Sequence, residues 1–216
     1  MMSPVGWAAL VMAASGWTFL WLRLSQFPLG RAIFCDWTTD CSAILWMNAP
    51  AFLAAIAMVA PAVPVSLLLH RHRMGPSYLR AAALVAGITA SIVVLVAVVA
   101  AYDSMWANYV GPFGLDAPQR TAVLPTSVGA TSWAAWPGLA GGWMALTSVQ
   151  LLRATLPLAI GSIGLITGAA LAISAPYFAE PLVIDRLMPL ELIIAMIWAT
   201  AVAVYLLTRR RVNGTA

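Results

Sequence analysis

The sequence predicts an all-α fold: a polytopic membrane helix bundle of six transmembrane helices with both termini cytoplasmic. Three observations predict it. Hydrophobic residues make up 62% of the 216-residue chain and charged residues only 8%, with a mean hydropathy of +0.92, whereas a soluble domain carries about 45–50% apolar and about 25% charged residues. Six apolar runs are long enough to cross roughly 30 Å of hydrocarbon, which takes about 20 residues. The charges are sorted between the connections of those runs, acids to one side and most arginines to the other.

The runs are continuous rather than alternating, so helices are expected and not a barrel. The first, Pro4–Leu22, follows Met1-Met2-Ser3, which carries no basic side chain. Its apolar stretch continues past the small residues Ala13-Ala14-Ser15, so it reads as a span and not as a cleaved leader. The second, Ala49–Leu69, contains Pro61 and Pro64, which should kink it near mid-membrane. The kink exposes carbonyls for Ser66 or a neighbour to satisfy, and it could open a lateral groove suited to a lipid or a quinone. The third and fourth runs are Ala81–Tyr102 and Trp133–Leu152; the fifth and sixth are Leu156–Ala175 and Leu187–Thr208. No internal repeat and no linker is visible, so residues 1–216 read as a single transmembrane domain and the repeat architecture of many transporters is not expected.

Small residues recur four apart in the last three runs: Gly138 and Gly142, then Gly164, Gly168 and Ala172, then Ala195, Ala199 and Ala203. In lipid such stripes let helix backbones approach closely, so they mark expected helix-packing faces.

Orientation follows from arginine. His70-Arg71-His72-Arg73 and Arg80 follow the second run, Arg153 the fourth, and Arg209-Arg210-Arg211 end the last. All lie on one side, which the positive-inside rule makes cytoplasmic. All seven acidic residues, Asp36, Asp40, Asp103, Asp116, Glu180, Asp185 and Glu191, fall on the other side, joined only by Arg23, Arg31, Arg120 and Arg186. The chain has no lysine and is rich in Ala, Gly, Pro, Arg and Trp. That bias fits a GC-rich bacterial genome and hence the bacterial cytoplasmic (inner) membrane.

The outer connections carry most of the chemistry. Cys35 and Cys41, the only cysteines, close the segment Cys35-Asp36-Trp37-Thr38-Thr39-Asp40-Cys41. In an oxidising compartment they are expected to form a structural disulfide stabilising by roughly 2 kcal/mol. Their spacing is not that of a thiol oxidoreductase. Trp17, Trp21, Trp37, Trp46, Trp106, Trp133 and Trp136 gather toward the same side, as expected of an interfacial aromatic belt. Asp36, Asp40, Trp37, Asp103, Trp106, Asp116, Glu180, Asp185 and Glu191 together form a candidate outer docking face, or a face that attracts cations.

The runs themselves lack ionisable residues near their centres, which argues against a proton relay or a buried carboxylate base. His70 and His72, two residues apart at one helix end, do not form a bis-histidine haem site across helices. No Gly-x-Ser-x-Gly motif, phosphate loop or Met-x-x-Met run is present. No catalytic, metal or cofactor residue is assigned, no cofactor is predicted beyond a bound lipid or quinone, and no basic stripe suits nucleic acid. Ala57-Met58-Val59-Ala60-Pro61, following Trp46-Met47, resembles the helix motif of a family of predicted metal-binding bacterial membrane proteins of unknown function. The match covers one helix, and it implies no activity for this chain.

Three functional classes follow. The first is a non-catalytic subunit that anchors or stabilises other membrane-protein subunits and contacts lipid, with an acidic, Trp-rich extracytoplasmic face. The second is a small transporter or channel for a neutral or lipophilic solute, lined by Thr89, Ser91, Thr147, Ser148, Gln150, Ser162 and Thr167. The third is a membrane enzyme acting on lipid or quinone at the outer boundary through Asp36, Asp40, Asp103 or Glu191.

Overall fold

A computed structural model describes residues 3–26, 41–107, 126–154, 156–174 and 181–213. Every element among them is helical: α1 (Ser3–Gln26), α2 (Cys41–Val59), α3 (Ala62–Arg71), α4 (Ser77–Ala107), α5 (Thr126–Ala154), α6 (Leu158–Ser174) and α7 (Pro181–Asn213). The second apolar run is divided into α2 and α3 at Ala60–Pro61. Pro61 has no N–H to give the Ala57 carbonyl, and Pro64 none to give Ala60, whose carbonyl instead accepts from Val63 N at 3.3 Å.

Four stretches are long and apolar enough to cross a membrane: Pro4–Leu22, Ala49–Arg71, Ser77–Ala101 and Leu190–Thr208. α6 is a shorter apolar helix of 17 residues. α5 has 29 residues, about 43 Å at 1.5 Å per residue, but its tryptophans, glycines, Thr147, Ser148 and Gln150 dilute its apolarity.

α4 shows what the helices face. Its buried side carries Ala83, Gly87, Ala90, Val94 and Ala97. Its exposed side carries Val85, Ile88, Ile92, Leu95 and Val99. Both stripes step by three and four residues, one face of a helix each. A soluble helix would bury its large aliphatic side chains. Here the small residues point inward and the large ones outward, as a surface solvated by acyl chains requires. Together with the four long apolar stretches, this surface is compatible with a membrane protein.

The segments pack as a closed ring: α1 on α2, α2 and α3 on α4, α4 on α5, α5 on α6, α6 on α7, and α7 back on α1, with the α6–α7 seam the thinnest. Ser66 lies against Ala83 while Ser91 lies against Val59, so α4 runs antiparallel to α2–α3. Gln150 reaches Leu79 and Trp143 lies at Gly87, which makes α5 antiparallel to α4. Gly141 meets Leu171 and Ala172, while Gly161 meets Leu152. Ser174 meets Glu191 while Gly164 meets Trp198, and Gly6 meets Leu206 and Leu207 while Gly16 meets Met196. Each neighbour therefore reverses direction, and the ring is an up-and-down bundle.

This alternation sorts charge along the bundle axis. The α3–α4 turn with Arg71, Arg73 and Arg80, the end of α5 with Arg153, and the last turns of α7 share one end. Asp103 and Glu191 sit at the opposite end. At the arginine end α3 closes with paired reverse hydrogen bonds, Arg73 N to His70 O at 3.1 Å and Met74 N to Leu69 O at 3.0 Å. Arg73 holds φ 52°, the left-handed position that glycine usually fills in this closure.

Candidate functional site

α5 packs between α4 and α6 and lines the interior cavity. Its Gly141 approaches α6 so closely that an added Cβ would stand 2.6 Å from the Gly168 carbonyl oxygen and 2.5 Å from Leu171 Cβ. A Cβ on Gly168 would stand 2.6 Å from both Ala145 N and the Gly141 carbonyl oxygen. Further along the same seam, Ser148 and Trp198 pack onto Gly164, and Leu152 packs onto Gly161. Residues 141, 145, 148 and 152 form one face of α5, and they meet the face of α6 carrying 172, 168, 164 and 161. Of the packing residues read from the sequence, Gly164 and Gly168 lie in this seam. An added Cβ on Gly142 would meet nothing within 4 Å; its neighbour Gly141 makes the approach. Ala172 presents its backbone N to Gly141 while its side chain is exposed, and Ala195, Ala199 and Ala203 are buried in α7.

On its other side α5 meets the kink. The indole Nε1 of Trp143 donates to Ser66 Oγ at 2.7 Å, and Ser66 Oγ donates to the Ala83 carbonyl at 3.3 Å. Trp143 and Ser66 are both almost fully buried. Gly87 makes room for this pair: an added Cβ would stand 3.0 Å from Trp143 Cδ1 and 3.2 Å from the Ala62 carbonyl oxygen. One turn on, Ser91 Oγ lies 2.8 Å from its own helix's Gly87 carbonyl and 3.4 Å from the Val59 carbonyl that the kink releases. The kink carbonyl is thus met by Ser91, while Ser66 serves the indole. Pro61 is buried at the break and Pro64 is exposed within α3.

Where α1, α2–α3, α5, α6 and α7 converge, a cavity of about 50 Å³ remains. Trp136, Trp143 and Trp198 line it together with Met12, Met58, Met144 and Met196, each methionine from a different helical segment. Methionines scattered through the sequence are therefore gathered by the fold. Methionine fills irregular gaps between rigid indoles because its thioether chain adapts. Trp136, read from the sequence as a belt residue, is 1% exposed and belongs to this core. The reason is its place on the enclosed helix, one turn inside Trp133 and facing the same interior as Trp143. Trp17 and Trp21 of α1 are exposed, and Trp17 Nε1 donates to Thr200 Oγ1 at 3.3 Å.

Several buried polar atoms have no hydrogen-bond partner among the described residues: Thr147 Oγ1, Ser148 Oγ, Gln150 Oε1, Trp198 Nε1 and, at the arginine end, Arg80 Nε. Gln150 commits its other amide atom, Nε2, to the Leu79 carbonyl at 3.0 Å. Of the polar residues read as a path, Thr147, Ser148, Gln150 and Thr167 are buried, and Thr89, Ser91 and Ser162 are half-buried. Of these, Ser91, Ser148 and Gln150 meet a neighbouring helix.

The candidate outer face is described only in part. Cys35, Asp36, Trp37, Asp40, Asp116 and Glu180 lie outside the described residues, as does the Cys35–Cys41 pairing; the backbone of Cys41 opens α2. Trp106 and Asp185 fall within α4 and α7. Asp103 and Glu191 are half-buried, and Glu191 Oε2 accepts from Ser174 Oγ at 3.0 Å, tying α7 to α6. His70 is exposed and His72 half-buried at the opposite end. Among the described residues no three His, Cys, Asp or Glu side chains group as a metal site would require. No protein-family model matches the chain, and no curated protein or solved structure is detectably similar to it.

Proposed function

We propose that this is a multi-pass protein of the bacterial cytoplasmic membrane in which all six segments cross the bilayer, the termini face the cytoplasm, and the bundle serves as a non-catalytic anchoring or stabilising subunit of a larger membrane complex. The single observation that carries the reading is how the interior is filled. Indoles, methionines and glycine crossings occupy it, leaving a cavity of about 50 Å³. Ligand sites run to about 300–1,000 Å³, so this space suits packing and not passage or turnover. Of the polar side chains assigned to a transport path, Ser91 and Gln150 instead join one helix to the next, and Ser148 packs onto Gly164 of α6.

The charge sorting supports the orientation: arginines at the α3–α4 turn and the end of α5 oppose the acids at the start of α7 and the end of α4. The acidic, Trp-rich side is then extracytoplasmic and is the face offered to partner subunits, with Cys35 and Cys41 stapling its first loop. Purification in a mild detergent followed by mass spectrometry tests the reading. Stoichiometric membrane partners are expected, and a chain recovered alone from its native membrane would overturn it.

A further inference from the structure

We propose that the arginine end of the bundle binds the phosphate of an anionic phospholipid through Arg80. Arg80 stands in the first turn of α4, the positive end of the helix dipole, where a cation is disfavoured. No acidic residue shares that turn. Its side chain is half-buried and its Nε has no partner among the described residues. A buried donor left unpaired is costly, and every acidic residue described lies at the far end of the ring. The open Oε1 of Gln150 could satisfy a hydrogen bond but not a charge.

The surroundings add positive potential and an apolar ledge. Arg71 and Arg73 close α3 just before α4. Gln150 holds the first turn of α4 through Leu79. Arg153 follows three residues later, on the same side of α5. Tyr78 and Val85, 72% and 63% exposed, carry the lipid-facing surface of α4 up to this point. A guanidinium at the end of a membrane span lies at headgroup depth, and its planar fork matches a phosphodiester. A lipid satisfies both halves of the site, phosphate on Arg80 and acyl chain on the α4 stripe; a free phosphate satisfies only the first. The inference rests on membrane placement alone and stands whether or not the chain has partner subunits.

The test is lipid retention by the full chain in neutral detergent, read by native mass spectrometry with phosphatidylglycerol and phosphatidylcholine supplied together. Phosphatidylglycerol is expected to be retained in about tenfold preference. Arg80→Gln should abolish the preference, Arg80→Lys should keep a weakened one, and Arg210→Gln should leave it intact. Cooperative thermal unfolding of each variant shows that it is folded; if Arg80→Gln does not fold, Arg80→Lys decides by the weakened preference. Equal retention of the two lipids by the unaltered chain, an undiminished preference in the Arg80 variants, or displacement of phosphatidylglycerol by millimolar inorganic phosphate would each overturn the proposal.

Discussion

α4 and α5 are neighbours of similar length, 31 and 29 residues, and they solve opposite problems. α4 has an exposed apolar side and a buried side: it displays Val85, Ile88, Ile92, Leu95 and Val99 outward and keeps Ala83, Gly87, Ala90 and Ala97 within. α5 is clasped between α4 and α6 and touches the kink and the cavity as well. It therefore buries Trp136, Trp143, Thr147, Ser148 and Gln150 and brings Gly141 against α6. Hydropathy measures the first kind of helix and undervalues the second. A helix too mixed in composition to stand out as a span here lines the bundle's interior.

The comparison breaks first where a charge is placed on the lipid side of α4. Ile92, 56% exposed, lies near the centre of the Ser77–Ala101 span. Ile92→Arg should weaken membrane insertion of that segment by about 3–4 kcal/mol, read as the inserted fraction in a glycosylation-mapping assay. Unchanged insertion would mean that the exposed stripe of α4 does not face hydrocarbon.

The next effect lies on α5 and separates two adjacent glycines. Gly141→Ala drives a methyl into the α6 backbone and should destabilise the bundle by about 2–3 kcal/mol, seen as a lowered midpoint of unfolding in detergent. Gly142→Ala enters open space and should be neutral or stabilising by up to about 1 kcal/mol, the helix-propensity gain over glycine. Equal responses would remove the α5–α6 crossing described here.

Smaller effects test how α5 is joined to the kink. Trp143→Phe removes the donor to Ser66 at 2.7 Å and leaves part of the buried indole's volume empty; a loss of about 2 kcal/mol is expected from the hydrogen bond and the void together. Ser91→Ala withdraws the hydroxyl from the Val59 carbonyl, and its loss should be smaller, about 0.5 kcal/mol, because the 3.4 Å contact is shared with Gly87. Both are read by the same unfolding measurement, and a larger loss for Ser91→Ala than for Trp143→Phe would reverse the ranking of the two joints.

These residues also mark how far a sequence reading reaches. The apolar stretches Pro4–Leu22 and Leu190–Thr208 are legible because lipid imposes length and composition locally, and the break at Pro61 is legible because proline lacks a donor wherever it sits. Gly141 could not be told from Gly142: adjacent helical residues point about 100° apart, and only the partner helix decides which is enclosed. The Trp143–Ser66 pair joins residues 77 positions apart, and the four cavity methionines come from four helical segments. No local pattern encodes such meetings. Ser91 was legible as a polar residue in a span but not as the partner of a carbonyl 32 residues away. The candidate outer face was legible as a set of acids and tryptophans, of which the described structure places Asp103 and Glu191 at one end of the ring.

The central claim, an up-and-down ring crossing the bilayer with its arginine end in the cytoplasm, is tested most directly by paired reporter fusions on either side of α4. After Gly75, a fused fluorescent protein should be bright and a fused alkaline phosphatase inactive; after Ala107 the two should exchange. An active phosphatase at Gly75, or the same behaviour at both sites, would contradict the account.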